Sequence, residues 1–132
     1  MRTINEILAA KGPQFNNIEA DISVLEALNI MKSENNTHLI VFSDGKYAGI
    51  FSEKDYARKV ILLKKQSSET TVGEIMSADL PMVNGSDSAK RCMKLMNQHQ
   101  TRYLPVFSGF DFKGVISIDD LMSEAIAESE NA

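Results

Sequence analysis

The stretch Gly49–Asp55, with the sequence GIFSEKD, recurs 65 residues later as Gly114–Asp120, with the sequence GVISIDD. Glycine, serine and aspartate stand three residues apart in both copies, and each copy follows a short apolar run. Glycine lets a backbone segment or a ligand approach closely, and serine can cap a helix or bond a phosphate. An aspartate three residues further lies one helical turn away. The pattern predicts a strand-to-helix junction that occurs twice, with groups suited to a sugar phosphate.

The similarity of the two halves extends well beyond this motif. Residues 27–56 align with residues 92–121 without a gap and share eight identical pairs, where chance would give roughly two. Each half has about 60 residues and is too small to cover both faces of a sheet. We therefore expect an α/β (α+β) fold of two β-α-β-β-α repeats, related by a pseudo-two-fold axis and packed through their sheets. Residues 1–66 would hold an N-terminal helix and the first repeat, and residues 67–132 a linker and the second repeat.

The spacing of apolar residues predicts where the helices begin and end. Ser23 and Ser88 each precede an amphipathic run, so both are predicted N-caps. Further helical segments are predicted at residues 3–10, 52–65, 72–76 and 118–127, and residues 128–132 are expected to fray.

The composition is that of a folded, mildly acidic chain. With 132 residues, 43% hydrophobic and 24% charged, the chain can bury a core. Its net charge of −4 argues against nucleic-acid binding, which usually needs a basic surface. No apolar run reaches the roughly 20 residues of a membrane span, and the first residues lack the apolar core of a signal peptide. One cysteine cannot form an internal disulfide, so we expect a cytoplasmic location and no membrane partner.

Five segments together resemble a tandem pair of CBS domains, the repeat named after cystathionine β-synthase, also called a Bateman module. They are residues 24–28 (VLEAL), 49–60 (GIFSEKDYARKV), 71–76 (TVGEIM), 101–106 (TRYLPV) and 114–120 (GVISIDD). The resemblance covers nearly the whole chain and is to the free-standing bacterial proteins that consist of a CBS pair and little else. The first repeat has Ile40 where the second has Pro105, which is expected to change the backbone of one strand.

The resemblance implies a regulatory module that binds adenine nucleotides in two crossed sites in the cleft between the repeats, without turnover. AMP or NAD(H) is the expected ligand; ADP, ATP and S-adenosylmethionine are alternatives, and no metal is required. Site one would join the first repeat's Ile50, Ser52, Lys54, Asp55 and Arg58 to the second repeat's Val83, Asp87, Cys92, Arg102 and Tyr103. Site two would join the second repeat's Val115, Ser117 and Asp120 to the first repeat's Ile18, Ile22, Ala27, Thr37 and His38.

The residue types fit these roles, but each also has a structural alternative. A carboxylate can accept hydrogen bonds from both ribose hydroxyls, whereas Asp55 and Asp120 could also be acids in a first helical turn. Ser52 and Ser117 could be N-caps, which is compatible with phosphate binding. Arg102 could bind phosphate or be a solvated residue at a strand end. The two histidines and the cysteine are not spaced as metal ligands, so no metal site is predicted.

Two helices carry more apolar residues than one core-facing stripe requires. The excess lies at Val60–Leu63 and at Leu121, Met122, Ala125 and Ile126. A second apolar face predicts a homodimer joined through these helices, and the alternative is a helix with an exposed apolar side.

Three functions remain open from the sequence. The first is an adenine-nucleotide sensor without chemistry of its own, acting on an unidentified effector protein. The second is a nucleotide-independent dimeric scaffold that binds a partner protein. The third, a hydrolase or transferase of small nucleotides, is disfavoured because no set of nucleophile, base and orienting group is evident. We therefore expect a protein that is not an enzyme.

Overall fold

The computed structural model describes residues 2–130, which form two compact units. The first-repeat unit consists of residues 15–79, and the second-repeat unit consists of residues 2–14 together with residues 80–130. This division differs from the sequence-based one, which placed residues 1–66 together. Within the described residues, none of the helices is long and apolar enough to cross a membrane.

Both units contain the predicted order of strand, helix, strand, strand and helix. Helix α1 (Ile4–Lys11) belongs to the second-repeat unit and precedes both repeats in the chain. The first-repeat unit contains β1 (Asn17–Glu19), α2 (Val24–Glu34), β2 (His38–Ser43), β3 (Lys46–Ser52), α3 (Glu53–Tyr56), a π-helical turn (Ala57–Ile61) and α4 (Val72–Ile75). The second-repeat unit adds β4 (Val83–Asn84), α5 (Ala89–Gln98), β5 (Tyr103–Ser108), β6 (Asp111–Ser117) and α6 (Ile118–Glu130).

Each unit has one three-stranded sheet, and the two sheets have the same topology. The strand orders are β1-β2-β3 and β4-β5-β6, with the first pair parallel and the second antiparallel. His38 lies opposite Ser52 in one hairpin, and Tyr103 lies opposite Ser117 in the other. A register shift also occurs at the same position, after Val41 and after Val106. The predicted 65-residue repeat is therefore a structural repeat, and the α/β fold class is confirmed.

The predicted helix caps explain how α2 and α5 begin. The Ser23 hydroxyl accepts a hydrogen bond from the Glu26 N–H at 3.1 Å, and the Ser88 hydroxyl accepts one from the Arg91 N–H at 3.1 Å. These bonds satisfy backbone donors that have no partner inside the helix. Both caps are confirmed.

The core of each unit includes the short helix that lies before the other repeat in the chain. Ile4 and Ile7 of α1 pack with Val83, Leu104 and other buried residues of the second repeat. Val72 and Ile75 of α4 belong instead to the core of the first repeat. This exchange of helices is the reason why the compact units do not follow the sequence-based division.

The difference between Ile40 and Pro105 has the expected effect on one strand. The Ile40 N–H donates to the Asn16 carbonyl oxygen at 2.8 Å, and β1 pairs with β2 over three residues. Proline has no N–H to donate, and β4 pairs with β5 over only two residues. The edge strand of the second repeat is accordingly one residue shorter.

Two helix predictions are wrong in detail. Residues 52–65 do not form one regular helix, because α3 passes into the π-helical turn, where the Leu62 N–H donates to the Ala57 carbonyl at 3.1 Å. The final helix does not end at residue 127 but continues to Glu130, so residues 128–130 are helical. Residues 131–132 of the predicted frayed tail lie outside the described part of the chain.

Candidate functional site

Ser52 and Asp55 form the junction between β3 and α3 in the first-repeat unit. The Ser52 N–H and hydroxyl both donate to Asp55 Oδ2, at 3.0 Å and 3.1 Å, and the Asp55 N–H donates back to the Ser52 hydroxyl oxygen at 3.4 Å. This reciprocal arrangement is a capping box. The serine and the aspartate are therefore spaced by three residues because the start of a helix needs both.

The other oxygen of the Asp55 carboxylate binds two groups from elsewhere in the same unit. Oδ1 accepts a hydrogen bond from the Ser77 hydroxyl at 2.7 Å and lies 2.9 Å from the Lys59 ammonium. The Asp55 side chain is only 5% exposed. A carboxylate this buried needs several donors, because burial without them would be costly.

The second-repeat unit repeats the junction at Ser117 and Asp120. The Ser117 N–H donates to Asp120 Oδ2 at 2.9 Å, and the Asp120 N–H donates to the Ser117 hydroxyl oxygen at 3.1 Å. The Lys11 ammonium, from the end of α1, lies 2.9 Å from the same Oδ2. The Asp120 side chain is 20% exposed and so is more accessible than that of Asp55.

The glycine of each motif is explained by a close backbone approach. A Cβ atom at Gly49 would lie 2.7 Å from the Ser77 carbonyl oxygen. This segment is close because Ile50 and Ser77 exchange two backbone hydrogen bonds, of 3.0 Å and 2.9 Å. Glycine is thus needed for the approach of the chain's own backbone.

The corresponding approach in the second-repeat unit is made by a side chain. The Gln14 side-chain amide forms the pair of hydrogen bonds that a neighbouring strand would form. Its Nε2 donates to the Val115 carbonyl at 2.9 Å, and its Oε1 accepts from the Val115 N–H at 3.0 Å. Gly114, with a φ of 147°, is in a conformation that favours glycine. The segments after α1 and after α4 therefore bind equivalent strand positions by different chemical groups.

The remaining predicted site residues divide between the two units. The first-repeat unit holds one half of each predicted site, and the second-repeat unit holds the other half, so the crossed pairing of these halves stays a prediction. Within the first unit, His38 lies beside Ser52 across the hairpin, and Asn16 Nδ2 is 3.4 Å from His38 Nε2. Thr37, Lys54 and Arg58 are exposed. Ile18 and Ala27 are buried in the core of that unit.

Ile22 and Ile18 also line a groove at β1 and α2. The groove has a volume of about 270 Å³, and its other lining residues are Asn17, Glu19, Glu26 and Ile30. It brings two of the predicted site-two residues together within one unit.

In the second-repeat unit, Tyr103 lies beside Ser117, as His38 lies beside Ser52. Arg102 is exposed, and its carbonyl oxygen accepts from the Ile118 N–H at 2.8 Å, so it adjoins the start of α6. Asp87 accepts from the Asn84 N–H at 2.9 Å and lies 3.5 Å from Arg91.

Val83 and Cys92 are core residues of the second-repeat unit. Burial, with a smaller contribution from the nearby Asp87 carboxylate, raises the pKa of the Cys92 thiol to about 11. A thiol of this kind is protonated at neutral pH and is a poor nucleophile. Among the described residues, no group of three or more His, Cys, Asp or Glu side chains could hold a metal ion.

Comparison with known proteins identifies the family. The family model for the CBS domain matches the chain twice, over residues 13–62 and 72–127. The chain belongs to the CBS-domain family. A mitochondrial CBS-domain-containing protein of Arabidopsis thaliana is 30% identical over 96% of this chain, and a CBS-domain-containing protein of Bacillus subtilis is 29% identical over 75% of it. The chain spans 66% of the length of the plant protein, slightly under two thirds, and the Bacillus alignment covers 70% of that relative.

A solved structure supports the same assignment at the level of the fold. A candidate signal-transduction protein with CBS domains from Burkholderia ambifaria is 38% identical, with a TM-score of 0.88 and coverage of 96% of this chain and 95% of that one. The suspected CBS pair is thereby confirmed, and CBS pairs are generally regulatory modules.

Sequence reasoning missed four residues that contact the CBS motifs. Ser77 and Lys59 bind Asp55, Lys11 binds Asp120, and Gln14 binds Val115. Only Lys59 had a local signal, because it stands four residues after Asp55, where helical side chains meet. Lys54 and Arg58 were predicted as the nearby cations, but the described ion pair of Asp55 is with Lys59.

Proposed function

We propose that this CBS pair is a regulatory module that binds an adenosine-containing nucleotide, AMP or NAD(H), and does not transform it. The observation that carries the proposal is the repeated junction at which a serine N–H orients an aspartate carboxylate, at 3.0 Å in one unit and 2.9 Å in the other. A carboxylate held in this way is a preorganised acceptor for the two hydroxyls of a ribose. The lysine at each carboxylate would favour a ligand that also carries phosphate.

The absence of turnover is supported by the chemistry of the candidate nucleophiles and bases. Cys92 lies in the core with a raised pKa, and His99 is exposed at the end of α5. We propose that the ligand leaves the protein unchanged, as a signal. The single, buried cysteine suits a reducing cytoplasm, and a separate effector protein would receive the signal.

Ligand binding is tested by calorimetry and thermal shift with AMP, ADP, ATP, NAD(H) and S-adenosylmethionine at matched concentrations. We expect heat of binding and a higher melting temperature with at least one of them, and chromatography should return the nucleotide intact. Asp55→Asn and Asp120→Asn should each weaken binding, by roughly 10- to 100-fold at the affected site, because each removes a charged acceptor.

The matched control is Asp119→Asn, an exposed neighbour of Asp120 with the same change of charge. It should leave affinity nearly unchanged. A protein that binds none of these compounds, or one that hydrolyses them, would contradict the proposal.

A second candidate function is a nucleotide-independent dimeric scaffold, and the apolar side chains after each motif favour it. Leu62 and Leu63 are 72% and 62% exposed in the first-repeat unit. Met122 and Ile126 are 52% and 57% exposed in the second-repeat unit. Because exposed apolar patches often mark interfaces, we propose a homodimer, which the nucleotide sensor can also adopt.

Light scattering tests the homodimer directly. The wild type should have twice the 14.6 kDa mass of one chain, and the pair Leu63→Glu with Met122→Glu should shift the mass to one chain at micromolar concentration. Phe110→Glu, at the fully exposed tip of the second hairpin, is the control and should leave the mass unchanged. A monomeric wild type would rule out the dimer and the scaffold, but not ligand binding.

A further inference from the structure

A lysine ammonium group is bound to each of the two motif carboxylates. Lys59 Nζ lies 2.9 Å from Asp55 Oδ1, and Lys11 Nζ lies 2.9 Å from Asp120 Oδ2. The lysine side chains are 42% and 31% exposed, whereas the aspartates are 5% and 20% exposed. Each carboxylate is therefore mostly enclosed, while the side chain of its lysine partner is partly exposed to water.

The two lysines occupy positions that the repeat does not relate. The position in the second repeat that corresponds to Lys59 is Glu124, which has the opposite charge. Glu124 binds Arg2, whose Nη2 donates to Glu124 Oε2 at 2.7 Å and lowers the pKa of that carboxyl. Lys11 comes instead from α1 and takes over the contact with Asp120. A lysine–aspartate ion pair is thus present in both units, but the two lysines come from positions that are not equivalent in the repeat.

The lysine–aspartate ion pair determines which ligands can form hydrogen bonds to the carboxylate. The hydroxyl groups of a ribose must share the carboxylate lone pairs with the ammonium or displace the ammonium from them. The displaced ammonium then needs another anion, which a phosphate supplies and an uncharged nucleoside does not. Building on the proposed nucleotide binding, we propose that Lys59 and Lys11 are specificity-determining residues that select phosphorylated nucleotides over nucleosides.

The ion pairs themselves are tested without any nucleotide, by acetylating amines with an N-hydroxysuccinimide ester and measuring each lysine by mass spectrometry. The ester acylates only a neutral amine, so a lysine reacts after its side chain has left the carboxylate and lost a proton, and Asp55→Asn should accelerate the labelling of Lys59 by about fivefold. Asp120→Asn should do the same for Lys11. Lys32, exposed on α2, is the internal control and should react at an unchanged rate. Unchanged rates at Lys59 and Lys11 would overturn the inference.

The selection step is tested by calorimetry with AMP and adenosine on Lys59→Met and Lys11→Met. Each variant should bind adenosine more tightly and lose preference for AMP, so that the ratio of the two affinities falls by about fivefold or more at the affected site. Lys32→Met changes the net charge equally and should keep the ratio. A ratio that does not change in either lysine variant would overturn the inference while leaving nucleotide binding intact. If neither compound binds the wild type, the proposed function and this selection both fail, whereas the labelling still reports the ion pairs.

Discussion

Replacing Asp55 with alanine is expected to lower the free energy of unfolding by about 2 to 4 kcal/mol. The substitution removes the aspartate half of the capping box and leaves the Ser52 N–H and the Ser77 hydroxyl without their acceptor. Each donor left unpaired away from water costs about 1 to 3 kcal/mol, and two such donors account for the expected loss. Lys59 adds little to this sum, because its ammonium is partly exposed to solvent.

Urea unfolding followed by circular dichroism measures this change. Asp79→Ala, at an exposed residue of the same unit, is the matched control and should change stability by less than about 0.5 kcal/mol. If Asp55→Ala were as stable as the control, the carboxylate would have no structural role. The result also governs how binding studies are designed, since Asp55→Asn disturbs the fold less than Asp55→Ala.

Replacing Gly49 with alanine is expected to destabilise the protein by about 2 to 3 kcal/mol. The new Cβ would lie 2.7 Å from the Ser77 carbonyl oxygen and 2.9 Å from the Met76 sulfur. A main-chain oxygen cannot move aside as a flexible side chain can, so the segment after α4 must shift away from β3. Exchange of the Ser77 amide hydrogen should accelerate, because its 2.9 Å bond to the Ile50 carbonyl is then lost.

Gly109→Ala separates this steric effect from the general cost of replacing a glycine. Gly109 has a φ of 62° and open space around it, so alanine there meets only backbone strain of about 1 kcal/mol. Gly49→Ala should lower the midpoint of thermal unfolding further than Gly109→Ala does. Equal midpoints, or a Ser77 amide that stays protected, would show that the close approach does not constrain this position.

The sequence predicted the local parts of the motif because they depend on neighbours in the chain. Ser52 and Asp55 are three residues apart, and so are Ser117 and Asp120, which is the spacing of a capping box. These residues therefore do act at helix starts, which is the structural alternative to ribose binding. Because a carboxylate that accepts from a helix start can also accept from a ligand hydroxyl, the ribose-binding interpretation stays a prediction.

The π-helical turn shows why one local prediction failed. Residues 52–65 carry a helical pattern of apolar residues, and Val60 is buried as that pattern requires. The sequence has no residue type that signals the change from i+4 to i+5 hydrogen bonds between Ala57 and Leu62. Within this turn Val60 is buried and Lys59 contacts Asp55.

The sequence by itself determined the repeat, the order of the elements and the helix caps, because periodicity and capping act over a few residues. Only the tertiary structure decided the distant partners of the two carboxylates. Ser77 lies 22 residues from Asp55, and Lys11 lies 109 residues from Asp120. Those contacts depend on α1 and α4 each packing with a repeat other than the one directly after it in the chain. The sequence of a short amphipathic helix specifies that one face is buried but not which of two similar repeats buries it.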